Sequence, residues 1–192
     1  DWSQKNTWYV TSVLNAEEQR EPGSYTIQAN SELKPYQSIP LKMPEGYRAG
    51  DASVADLDGD GEYEIVLHVT GRGHDNSHRG LTDEPIFQAY KLSGELLWEV
   101  NLGKNIREGA HYTQFLVYDF NSDGKAEMVC KTADGTTDAL GNSIGDPNAD
   151  WRDTDEKSRT FGKILEGPEY LTVFDGQTGK ALATTDYIPP RG

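Results

Sequence analysis

From Asp51 onward, short apolar runs alternate with polar, glycine-bearing turns in a rhythm that suits strands rather than helices. The runs fall at 52–55, 63–69, 86–92 and 96–102, and a second set follows at 113–120, 126–132, 170–174 and 180–187. Four strands per repeat is the pattern of a β-propeller blade, so the reading is all-β, with about two four-stranded blades over residues 51–192. Two blades cannot close a ring, and each blade needs neighbours to cover its faces. The expectation is therefore an incomplete propeller belonging to something longer. Upstream, runs at 8–14 and 24–29 read as a hairpin, and residues 1–33 as the last strands of a β-sandwich domain. Residues 34–50, with Pro35, Pro40, Pro44, Gly46 and Gly50, read as a linker.

The turn between the first two runs carries oxygen ligands at alternate positions: Asp56, Asp58, Asp60, then Gly61, Glu62 and Glu64. It is repeated between the corresponding runs of the second set as Asp119, Asn121, Asp123, Gly124, Lys125 and Glu127. A hard cation such as Ca²⁺ takes six to eight oxygens, and carboxylates at alternate positions of a tight turn can converge on one point. Glu62 and Lys125 are expected to offer carbonyl oxygens, and Glu64 and Glu127 to close the sites. An EF-hand would close with Glu three residues later, where Leu67 and Cys130 stand, and neither loop is flanked by an amphipathic helix. These are strand-turn-strand calcium loops in this reading; the alternative is a pair of solvated acidic hairpins.

Composition narrows the partners. A net charge of −14 argues against nucleic acid and anionic membranes, because neither attracts an acidic surface. No apolar run reaches the eighteen or so residues that a membrane-crossing helix needs, so membrane insertion is not expected. The chain starts at Asp1 without Met, which reads as processing or truncation. The single cysteine, Cys130, lies in a strand and reads as a core thiol.

In a blade, the loop joining strands two and three and the connection to the next blade lie at the end opposite the calcium turns. The elaborate connections, 71–85, 103–112 and 133–169, all fall there. Long loops gathered at one end of a rigid scaffold carry function. Arg107, His111 and Tyr112 enter the leading strand of the second blade and would suit a sugar acid. Arg107 can pair with a carboxylate, His111 can transfer a proton near neutral pH, and Tyr112 can stack on a ring. The competing reading makes His111 and Tyr112 packing residues. Asp75 and Asn76 are candidate ligand contacts, Lys131 is a candidate clamp or base, and Trp151 can stack on a sugar. His74 and His78 share the spacing of a helical zinc motif, but Gly71, Gly73 and Gly80 argue against a helix.

Taken together these runs resemble the bacterial rhamnogalacturonan lyases of polysaccharide lyase family 11. The likeness rests on Gly50-Asp51-Ala52-Ser53-Val54, Asn105-Ile106-Arg107, Gly109-Ala110-His111-Tyr112-Thr113-Gln114-Phe115, Lys131-Thr132-Ala133-Asp134-Gly135-Thr136, Gly167-Pro168-Glu169-Tyr170 and Pro189-Pro190-Arg191-Gly192. The resemblance implies a small β-sandwich joined to an eight-bladed, calcium-rich propeller. It also implies cleavage of pectic rhamnogalacturonan I between rhamnose and galacturonic acid by calcium-dependent β-elimination, in a secreted, periplasmic or cell-surface bacterial protein. His111, Lys131 and Arg107 are then the catalytic candidates, and Asp75, Asn76, Tyr112 and Asp134 the substrate contacts. The remainder of the propeller is an implied partner, and this piece alone is expected to be inactive.

One stretch departs from the family pattern. Where a Lys-Trp-Asp-Pro run is expected after the second strand, this chain has His68-Val69-Thr70-Gly71. The alternative class is a noncatalytic calcium-stabilised propeller module that binds glycan or protein, whose acidic turns would look the same.

Overall fold

The computed structural model describes residues 3–18, 23–31, 36–75, 77–109 and 113–191. No α-helix occurs among them, so the all-β expectation holds. The chain divides into two compact units, Asp1–Ser38 and Ile39–Gly192.

In the first unit, β1 (Asn6–Val10) encloses a small hairpin of β2 (Val13–Leu14) and β3 (Glu17–Glu18) before β4 (Gly23–Ile27) returns to pair with it. Trp8 stands opposite Tyr25, and the Thr7 and Thr26 hydroxyls share a hydrogen bond of 3.0 Å on the other face. The run expected as one strand over 8–14 is thus two. The break falls at Thr11–Ser12, and Asn15 and Ala16, both at positive φ, make the tight turn of the inner hairpin.

The second unit holds two antiparallel sheets. The first runs β5 (Arg48–Ala55), β6 (Glu64–Thr70), β7 (Ile86–Tyr90) and β8 (Leu96–Asn101), each paired with the next. The second repeats this with β9 (Phe115–Tyr118), β10 (Glu127–Ala133), β13 (Glu169–Phe174) and β14 (Ala181–Asp186). Every run of the sequence reading is matched by a strand. Two short strands were not foreseen. β11 (Thr136–Thr137) and β12 (Ser143–Ile144) lie in the long loop and extend the first sheet through the pairing of Thr137 with Asn101.

The expected linker needs correction at its downstream end. Residues 39–47 pack on the first sheet: Leu41 and Tyr47 join a cluster with Leu67, Val69, Ile86 and Tyr90. Tyr90 Oη accepts the Lys42 N–H at 2.9 Å, and Gln88 Nε2 donates to the Lys42 carbonyl at 2.9 Å. β5 begins at Arg48 and carries a bulge between Ala49 and Ala52. Gly50 is required there, because a Cβ would stand 2.4 Å from the Thr70 hydroxyl and 2.9 Å from the His68 carbonyl.

The larger core lies between the sheets. Val66, Phe87, Ala89, Trp98 and Val100 of the first meet Met128, Cys130 and Phe174 of the second, with Leu57, Leu102 and Ile106 closing the ends. Neighbouring residues of β6 feed different clusters, Val66 the larger and Leu67 the smaller, as strand alternation demands. Cys130 is buried as expected, and burial pushes its thiol up to about 12.

The three long connections have little sheet of their own, and one side chain ties the second of them to the third. Asn105 is fully buried; its Nδ2 donates to the Asp134 carbonyl at 2.8 Å and the Ala149 carbonyl at 2.9 Å. Its Oδ1 accepts the Trp151 N–H at 2.8 Å. Replacing Asn105 with Ala leaves those three backbone groups to find other partners, and should lower stability by roughly 2–4 kcal/mol. Urea unfolding should show a lower midpoint with an unchanged slope; a loss within about 0.5 kcal/mol would mean that the loops do not depend on this amide.

Candidate functional site

The two acidic turns are built alike. In the first, the Asp56 carboxylate accepts the N–H groups of Gly59 (2.6 Å) and Gly61 (2.9 Å). Asp58 Oδ1 accepts from Asp60, Asp60 Oδ1 from Glu62, and Glu64 Oε2 from Leu57. In the second, Asp119 accepts from Ser122 and Gly124, Asn121 from Asp123, Asp123 from Lys125, and Glu127 from Phe120. The turns lie side by side, joined by the Ala126 N–H donating to the Asp56 carbonyl at 2.8 Å.

Their centres differ. In the first, Asp56, Asp58 and Glu64 bring one carboxylate oxygen each within 4.8 Å of one another, a donor set that fits a hard cation. Lys91, outside the turn in sequence, reaches Asp58 Oδ2 at 2.9 Å and Asp60 Oδ2 at 3.5 Å. The hydrogen bond from Lys91 holds Asp58 below the usual carboxylate range, and the same bond raises Lys91. Burial raises Glu64, with the like charges of Asp58 and Asp60 adding to it. In the second turn no such lysine is needed: the Asn121 amide donates to Glu127 Oε1 at 2.8 Å and Asp123 Oδ2 at 3.2 Å. Each turn therefore gathers carboxylates and answers them with a positive or N–H group.

At the loop end, a cleft of about 910 Å³ is lined by His68, His74, Asp75, Glu108, Gly109 and Thr113, among others. That volume lies in the usual range for a ligand site. Asp75 is therefore brought beside the segment that leads to His111 and Tyr112. Those two residues and Asn76 lie outside the described residues. A feature that sequence reading did not foresee sits in the wall: His68 Nε2 is 2.9 Å from Glu108 Oε2, with both side chains buried. His68 was legible only as a departure from the family pattern. Among the described residues, the acid and histidine cluster that could hold a metal is Asp56, Asp58 and Glu64, so His74 and His78 give no zinc site there. His78 instead turns its carbonyl to Arg107 Nη2 at 2.7 Å.

Arg107, from the connection 103–112, and Lys131, from β10, line a second cavity of about 220 Å³ together with Ile106, Lys163, Glu169 and Arg191. Lys131 Nζ reaches Glu169 Oε1 at 2.9 Å, and Arg191 Nη2 reaches the same oxygen at 3.0 Å. Arg191 also donates to the carbonyls of Glu166 and Asn105. Burial alone would raise Glu169, but the hydrogen bond from Lys131 and the charge of Arg191 outweigh it and hold the carboxyl low. Lys163, Glu169 and Arg191 were not singled out as site residues, since no spacing rule joins positions so far apart.

Asp134, expected at substrate, faces inward. Its Oδ1 accepts the Asp146 N–H at 2.9 Å and the Tyr170 hydroxyl at 3.2 Å, and its Oδ2 accepts Trp151 Nε1 at 2.9 Å. It braces the loop rather than opening to a ligand. Trp151 is held by that bond and lies over Gly167, where a Cβ would come within 2.4 Å of the indole. The residue is 38% exposed and lines a hollow at the surface.

Because Glu169 is held low in the folded chain, its contribution to stability is present above the unfolded carboxylate range and is lost as pH falls from about 5 through the lowered value. Glu169→Gln should therefore weaken the chain at pH 7 and flatten the acid limb of its stability profile. Equal slopes below pH 5 for both proteins would remove Glu169 from that limb.

A model of the rhamnogalacturonan lyase family 11 C-terminal domain matches residues 36–192. Among curated proteins, the chain is 55% identical to the rhamnogalacturonan exolyase YesX of Bacillus subtilis, over 80% of this chain and 26% of that one. It is 48% identical to the rhamnogalacturonan endolyase YesW of the same organism, over 97% of this chain and 30% of that one. A solved structure of the Bacillus licheniformis rhamnogalacturonan lyase PL11 superposes with a TM-score of 0.81 at 50% identity, covering 97% of this chain and 32% of that one. The chain thus spans about a quarter to a third of the length of the relatives it matches.

Proposed function

The chain belongs to rhamnogalacturonan lyase family 11, and on that premise we propose that it is part of a lyase that cleaves the rhamnose–galacturonic acid backbone of pectic rhamnogalacturonan I by β-elimination. The observation that carries this reading is the family match over residues 36–192, joined to the clustering of the long loops at one end. The exolyase and the endolyase are both close in this region, so the mode of attack is left to other parts of the protein.

The two four-stranded sheets are blades of a propeller in this proposal, with β5 and β9, which adjoin, as leading strands next to the axis. Leu116 and Tyr118 of β9 and Leu182 of β14 are exposed, as faces awaiting a further blade would be. Asn6–Ile27 then contributes strands to a preceding sandwich. Asp56, Asp58, Asp60 and Glu64, with the Glu62 carbonyl, hold one calcium ion; Asp119, Asn121, Asp123 and Glu127, with the Lys125 carbonyl, hold another. When bound, calcium supplies positive charge that keeps the first two strands of each blade together. A substrate found in plant cell walls implies a secreted, periplasmic or cell-surface protein.

Elimination requires a base to take the proton at C5 of the uronate, a double bond to form between C4 and C5, and the C4–O bond to break with the electron pair leaving on oxygen. The C5 proton is weakly acidic until its carboxylate is neutralised. His111 is the base in this proposal, and the pairing of Lys131 Nζ with Glu169 supports that choice over Lys131. Gly109 and Thr113, on either side of it in the chain, both line the cleft. Arg107 and Lys131, which line the cationic cavity rather than the cleft, supply fixed positive charge to the bound acidic chain from there, and Asp75, Asn76 and Tyr112 contact the sugar.

Incubating the full-length protein with rhamnogalacturonan I should raise the ultraviolet absorbance of an unsaturated uronate, and His111→Ala should slow that rise by roughly 10²–10⁴-fold. Binding of the polysaccharide without any rise would overturn the lyase reading in favour of a noncatalytic module. Calcium should raise the thermal midpoint in proportion to the logarithm of its concentration above Kd, and Asp56→Asn with Asp119→Asn should abolish that dependence. An unchanged midpoint after chelation would sink the calcium assignment.

A further inference from the structure

The cationic cavity does more than collect Arg107 and Lys131. Of its described lining residues, Arg107, Lys131, Lys163 and Arg191 are cationic and Glu169 alone is anionic. Glu169 Oε1 is engaged by Lys131 and Arg191 together. The half-buried Lys163 makes no ion pair among the described residues, although its backbone N–H and carbonyl are fixed by Thr160 and Asp153. Four cations around a single carboxylate leave the cavity with an excess of positive charge that favours an anion, whereas the acids near Lys163 on its other side, Asp150, Asp153 and Glu166, line the adjoining hollow.

A second observation gives the anion a body. Lys163 and Leu165 also line an adjoining hollow of about 320 Å³, whose wall includes Trp151. The Trp151 indole is held by Asp134 and packs over Gly167, and the residue is 38% exposed where it lines the hollow, which suits it as a rigid platform for a sugar ring. The cavity, at about 220 Å³, is below the usual size for a whole ligand and suits one charged group of a longer one. We propose that cavity and hollow together form an acidic-saccharide subsite separate from the cleft, in which a uronate carboxylate sits among Lys163, Arg107 and Lys131 while a ring of the same chain lies on Trp151. Glu169 and Arg191 position the cations. The subsite rests on the lyase reading for its natural ligand, a chain in which acidic and neutral sugars alternate.

Calorimetric binding of a rhamnose–galacturonate oligosaccharide to the full-length protein tests it, with the same oligosaccharide after reduction of its carboxyl groups as the second probe. Lys163→Gln should raise Kd for the acidic probe about tenfold, the effect of losing one charge-assisted hydrogen bond, and leave Kd for the reduced probe unchanged. Lys163→Arg should restore binding to within about twofold. Lys157→Gln, an equal change of charge at an exposed position of the same loop, should leave both constants as they are. If Lys163→Gln behaves like Lys157→Gln, or weakens both probes alike with an unchanged thermal midpoint, the subsite is overturned. The lyase reading fails separately, by absence of the ultraviolet signal from the unaltered protein; binding is judged whether or not that signal appears.

Discussion

The loop end of this chain hangs on one buried amide. Connections as long as 133–169 carry many backbone N–H and C=O groups that no ladder satisfies, and such groups must find partners or lose stability. Asn105 answers three of them at once, two carbonyls and one N–H, from a position with no exposed surface. The consequences spread outward. Because Trp151 is fixed through its backbone by Asn105, its indole can be fixed by Asp134, and Asp134 then holds Asp146 and Tyr170. Arg191 closes the cationic cavity from a place defined in part by the Asn105 carbonyl.

The opposite end is governed by charge rather than by neutral hydrogen bonds. The two acidic turns share the same backbone-to-carboxylate bonds, so their shape does not depend on what sits in the middle. What differs is how the converging carboxylates are compensated. The first turn uses the Lys91 ammonium and the second substitutes an amide for one acid at Asn121. Burial pushes Glu64 up, with the like charges of Asp58 and Asp60 adding to it, while the hydrogen bond from Lys91 holds Asp58 down.

How much of this could be read from the residues follows from the range of each interaction. The eight long strands were legible because β6 and β7 are nearly continuous apolar runs and because the acid turn marks the same junction twice. The inner hairpin at Asn15–Ala16 was not, since Ala at positive φ gives no turn signal; nor were β11 and β12, two residues each. Residues 39–47 looked like a linker because prolines hide the contacts of Leu41 and Tyr47. Arg107 and Lys131 were placed at one end by strand direction alone. Glu169, Lys163, Arg191 and the partnership of His68 with Glu108 are long-range facts. Asp134 was misdirected because a loop motif says nothing about which way a carboxylate points.

Arg107 and Glu108 are consecutive, yet one lines the cationic cavity and the other the cleft. In an extended segment successive side chains leave on opposite sides, so a wall one residue thick can separate two environments of opposite character. The cavity side carries an excess of positive charge. The cleft side carries a buried carboxylate whose only hydrogen-bond partner among the described residues is His68, with the Thr82 hydroxyl taking its backbone N–H. The segment 106–109 thus presents a cation to one hollow and a hydrogen-bonded carboxylate to the other, so that a substitution at either position is felt on its own side of the wall.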